Sequence, residues 1–66
     1  SSNPELSARA SSMVTQLESK VAELRAEVEE AEGRGDASRA AKLREQLDAQ
    51  QAWLDQARKG LDEFGG

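Results

Sequence analysis

The chain has 66 residues, thirteen acidic and nine basic side chains, a formal net charge of −4 and no cysteine. That length makes one small domain without a sizeable enclosed core, and the missing thiols exclude a disulfide framework and a thiolate metal site. The acidic balance argues against general binding to nucleic acid or to an anionic membrane surface, and no apolar run is long enough to span a bilayer.

In chain order, Ser1-Ser2-Asn3-Pro4-Glu5 comes first. It lacks the basic and apolar stretches of a signal peptide. It reads as a helix start: Asn3 as N-cap, Pro4 at the first helical position, Glu5 at the positive end of the dipole. The first helix is expected over 4–32. Within it Ser7, Ala10, Val14, Leu17, Val21, Leu24, Val28 and Ala31 recur in alternating steps of three and four, the rhythm of a heptad seam. Gly33-Arg34-Gly35 breaks the rhythm. The expected turn is 33–35, with Gly33 as the left-handed stop. Asp36 is the expected cap of a second helix over 36–64. There Ala40, Leu43, Leu47, Gln50, Leu54, Ala57, Leu61 and Phe64 resume the same steps. Gly60 follows the basic pair Arg58-Lys59, which suits a helix end, yet the seam continues past it, so a frayed last turn ended by Gly65 is expected. Gly65-Gly66 and the Ser-rich start read as linker edges of an excised segment.

The two seams make the fold class all-α: a single domain, 1–66, forming a two-helix antiparallel coiled-coil hairpin that can self-associate into a four-helix bundle. Folding back at Arg34 pairs Val28 with Ala40, Leu24 with Leu43, Val21 with Leu47, Leu17 with Gln50, Val14 with Leu54 and Ala10 with Ala57. One flank then brings Glu27 to Arg39, Met13 to Trp53 and Leu6 towards Gly60. The other brings Arg25 near Arg44, a like-charge approach that Glu29 or Asp48 would relieve. A lone hairpin of this size is marginal, and a partner surface would help it.

Around the turn, Leu24, Val28, Ala31, Asp36, Ala40, Ala41, Leu43, Arg44, Glu45 and Leu47 form one pattern. It resembles the UVR motif, a helical hairpin of bacterial excision-repair subunits and of Clp-type chaperones and their adaptors. Residues 24–47 keep the motif's spacing without insertion, and Ala40-Ala41-Lys42-Leu43-Arg44-Glu45 is the closest part. The departures are Glu32 where a second Ala is usual, Ala37 where an aromatic is usual, and an open Gly-Arg-Gly turn. The resemblance implies a protein-docking hairpin with no catalytic residues to carry over. Small residues near a tight turn are also what any antiparallel hairpin requires, because its helices converge there.

Trp53 sits beside the seam. With Leu6, Met13, Leu61 and Phe64 it is expected to form an apolar patch at the open end, a contact surface for another chain. The competing reading folds Trp53 over the seam to shield Met13. Gln50 in the seam either sets register or reaches out to solvent. Arg34-Gly35-Asp36 spells the integrin-recognition tripeptide, but the same residues suit a helix–turn–helix junction. Arg34, Arg39, Lys42 and Arg44 are interleaved with Glu29, Glu30, Glu32 and Glu45, which cancel their field. No aromatic lies nearby to stack on bases. Glu27, Glu29, Glu30 and Glu32 lack calcium-loop spacing. No histidine, cysteine or tyrosine is present, so no catalytic residues, cofactor, metal or small-molecule substrate are expected.

The expected function is therefore a non-catalytic, cytoplasmic protein–protein interaction module that docks another protein through the hairpin. Two alternatives stay beside it: a homo-oligomerisation coiled coil, and a nucleic-acid-associated hairpin, which the charge disfavours.

Overall fold

The computed structural model describes the backbone of residues 4–65 and the side chains of residues 4–63. It is a hairpin of two long helices, α1 (Pro4–Gly33) and α2 (Ala37–Gly65). The Cα trace extends 51 × 14 × 12 Å, so each helix runs the length of the molecule. The proposed Asn3 cap lies outside the described residues. Glu5 stands in the first turn of α1 and accepts an ion pair from Arg9 at 2.9 Å, an i,i+4 arrangement with the acid on the N-terminal side.

The turn differs from the expectation in one respect. Gly33 is still helical, and the left-handed residue is Gly35, at φ 74°. The Gly35 N–H donates to the Glu32 carbonyl at 3.0 Å, and the Asp36 N–H donates to Ala31 at 2.9 Å. Those two bonds are a Schellman closure, which satisfies carbonyls that a helix end otherwise leaves unpaired. Stopping at Gly35 keeps Ala31 in the helical seam. It also lets Asp36 finish one helix while it starts the next. The Asp36 carboxylate oxygen Oδ1 accepts the Arg39 N–H at 3.1 Å, and its carbonyl accepts the Ala40 N–H at 3.0 Å. Asp36 is thus the N-cap of α2, as its residue type foretold. Asp36→Ala should cost about 1 kcal/mol in a chemical-denaturation curve. No measurable change would mean that the exposed Arg39 amide is equally well served by water.

Helix α2 passes through Gly60 without a break. A mid-helix glycine costs roughly 1 kcal/mol against alanine. Beside it, however, Leu61 is half-buried and packs on the core, and tertiary packing overrides the local preference.

All described seam residues are buried or half-buried. Nearest the turn, Leu24, Val28, Ala31, Ala40 and Leu43 form one cluster; towards the open end, Val14, Val21 and Leu54 form another, and Leu47 packs against both. The small pair Ala31 and Ala40, 2% and 1% exposed, sits where the helices come closest to the turn. The expected pairs Val28–Ala40 and Leu24–Leu43 share the first cluster, and Val14–Leu54 the second. Gln50 is half-buried, and no described side-chain N or O atom is buried without a partner.

Candidate interaction surface

The two flanks of the seam are built differently. On one, Arg58 pairs with Glu18 at 2.8 Å, Arg25 donates to Gln51 Oε1 at 3.1 Å, and Arg44 pairs with Glu32. Each step of seven up one helix is a step of seven down the other, so all three contacts obey one register. Gln51 is held from its other side, donating to Asp55 at 3.2 Å. The expected approach of Arg25 to Arg44 is therefore not made. The turn pivots on Gly35 and Asp36, just beyond Arg34, and this shift delivers Glu32, not Glu29 or Asp48, to Arg44. These pairs are about half exposed, so each contributes under about 1 kcal/mol. Their value lies in fixing register.

On the other flank, no ion pair joins Glu27 to Arg39 among the described residues. The cause is the direction of the side chains. A helical Cα–Cβ bond tilts towards its own N-terminus. On the paired flank this tilt brings Glu32 and Arg44 together. On the open flank Glu27 lies farther from the turn than Arg39 and leans towards the open end, while Arg39 leans towards the turn. The same geometry applies to Met13 and Trp53, which stand in the same relation two heptads farther out. Trp53 is 65% exposed, Met13 55% and Leu6 62%. Trp53 is thus not folded over the seam.

Beneath them the seam is itself incompletely closed. The seam residues that border this flank towards the open end, Ala10, Leu17, Gln50 and Ala57, are half-buried; of those bordering the paired flank, Val14, Val21 and Leu54 are buried and Ser7, Leu47 and Leu61 half-buried. The open flank is thus a shallow, mainly apolar trough with Leu6, Met13, Lys20 and Trp53 along its rim. Of the expected patch, Leu61 is half-buried and packs from its seam position against the open-end cluster. The Phe64 side chain lies outside the described residues.

The turn-proximal residues are largely occupied by the fold. Leu24, Val28, Ala31, Ala40 and Leu43 are buried and Leu47 half-buried; Ala41, Arg44 and Glu45 are exposed. Arg34 pairs with Glu30 at 2.7 Å and the Asp36 carboxylate caps α2, so the Arg-Gly-Asp tripeptide serves the turn. Among the described residues no group of acidic side chains is gathered to hold a metal, and no helix is long and apolar enough to cross a membrane. Compared with protein-family models, curated proteins and solved structures, the chain matches none.

Proposed function

We propose that this hairpin is a non-catalytic protein–protein interaction module, and that the open flank around Trp53, Met13 and Leu6 is its contact surface. The observation that carries the reading is the 65% exposure of the only tryptophan, standing over a trough floored by Ala10, Leu17, Ala57 and the amide Gln50. Burying apolar surface is worth about 25 cal/mol per Å², and a two-helix unit has no third wall with which to bury it. Aromatic and Met side chains at the centre of a largely apolar patch are the usual anchors of an interface. The resemblance of residues 24–47 to the UVR hairpin fits the same reading, since that motif docks proteins.

A site-resolved cross-link tests it. A photo-reactive benzophenone amino acid in place of Trp53, in the cell that makes the protein, should yield adducts to a polypeptide chain. The same group in place of Glu45, exposed on α2 away from the trough, should yield few. Equal labelling from both positions would show that the open flank is ordinary solvated surface.

A further inference from the structure

We infer that the occupant of the open flank is a second copy of this chain, lying alongside with both turns at the same end, so that α1 of each hairpin runs against α2 of the other. The inference rests on reading that flank as an interaction surface, and it names the partner. The first support is the distribution of charge. A third of the residues are charged, yet along the open flank of α2 the stripe Gln46, Ala49, Trp53, Gln56 and Gly60 carries none. Two molecules of net charge −4 repel at a distance. They can meet closely where few charges have to be stripped of water, and this stripe is such a place; the one basic residue facing it, Lys20, is paired with Glu23 at 3.9 Å and has a long stem that lies along apolar surface while its ammonium stays in water. It also carries a projection, Trp53, beside small residues, Ala49 and Gly60. A two-fold interface needs a knob and a recess on one face, because each copy must supply both.

The second support fixes the orientation. Outside the trough, α1 presents a row of Arg9, Gln16, Glu23 and Glu30, and α2 presents Lys42, Ala49, Gln56 and Glu63; all these residues are exposed. Counted from the turn, Arg9 stands level with Glu63, Gln16 with Gln56, Glu23 with Ala49, and Glu30 with Lys42. Side by side with turns together, two copies bring opposite charges into register at both ends, amide against amide between them, and no like charges. Two-fold docking of this face on itself allows one other arrangement, with one copy reversed so that α1 lies on α1 and α2 on α2. It also brings Arg9 to Glu30 and Lys42 to Glu63, but it lays Leu6 and Met13 over the charged Arg34 and Glu27 of the other molecule. Only the first arrangement matches both the apolar half and the charges.

Sedimentation equilibrium of the purified chain should show the mass rising with concentration from 7.1 kDa towards twice that value. Trp53 emission should shift to the blue in step. Ala49→Glu puts a charge into the neutral stripe at an exposed helical position. It should leave the circular dichroism of the dilute monomer unchanged and weaken self-association about tenfold or more. Spin labels at Ser38, near the turn, should lie within about two or three helix spacings of 8–10 Å in the dimer. A separation approaching the 51 Å length of the hairpin would overturn the turns-together arrangement. A mass that stays at 7.1 kDa at roughly 1 mM, the weak end of the usual affinity scale, would overturn self-pairing, as would a dimer indifferent to Ala49→Glu. If the chain is monomeric but the cross-linker at position 53 still finds another protein, only the choice of partner fails. If it finds none, the interaction reading fails with it.

Discussion

Leu24→Ala should unfold most of the hairpin at ordinary temperature. Leu24 is 0% exposed and is the largest fully buried side chain, at the centre of the turn-end cluster with Val28, Ala31, Ala40 and Leu43. Truncating a buried leucine costs about 2–5 kcal/mol, the removed transfer energy plus the cavity left behind. Domains this small hold little stability in reserve, and two opposed helices have few neighbours that can relax into the gap. Glu30→Ala is the matched control. Its ion pair with Arg34 is exposed on both sides, so the change should stay within about 1 kcal/mol. Both variants are to be melted at low concentration, because any self-association adds stability that depends on concentration. Equal melting curves would mean that the seam is not what holds the two helices together.

Two glycines of the turn, one residue apart, should respond to alanine with opposite signs. Gly35 holds a φ of 74°, where a Cβ meets the following carbonyl. Gly35→Ala should cost about 1–2 kcal/mol. It would loosen the Schellman bonds to Glu32 and Ala31 together with the alignment of Asp36. Gly33 is helical, and a Cβ built on it meets nothing within 4 Å. Gly33→Ala should stabilise by about 0.5–1 kcal/mol, because it removes freedom from the unfolded chain and raises helix propensity. Paired denaturation curves decide the matter. A stabilising Gly35→Ala, or a clearly destabilising Gly33→Ala, would place the left-handed residue elsewhere and move the register with it.

That pair of glycines also shows where sequence reading stops. The three-and-four spacing from Ser7 to Ala31 and from Ala40 to Leu61 identifies every fully buried side chain among the described residues, while half-burial also reaches Glu27 and Gln51 beside the seam. It could do so because burial in a pair of helices follows periodicity alone. Asp36 was legible as a cap because its side chain bonds to the backbone next to it, a local event. Gly33 and Gly35 are both glycines, and nothing local chooses between them. The choice depends on which of the two lets Ala31 and Ala40 pack at the closed end while Asp36 begins α2.

The candidate surface divides in the same way. An unshielded Trp53 could be suspected from the chain, since its neighbours in the pattern are too few to cover it. The paired flank could not be foreseen: Arg44 with Glu32 and Arg58 with Glu18 depend on the turn pivoting just beyond Arg34. Leu61 stands at a seam position at the patch edge, and its packing against the open-end cluster leaves it half-buried. The sequence by itself thus determined the two helices, the buried face of each and the cap between them, because those follow from repeat and local hydrogen bonding. Only the tertiary structure decided the register and, through it, which flank closes. Side chains tilt towards the N-terminus of their own helix, so in an antiparallel pair they converge across one flank and part across the other, and the flank where they part carries Leu6, Met13 and Trp53.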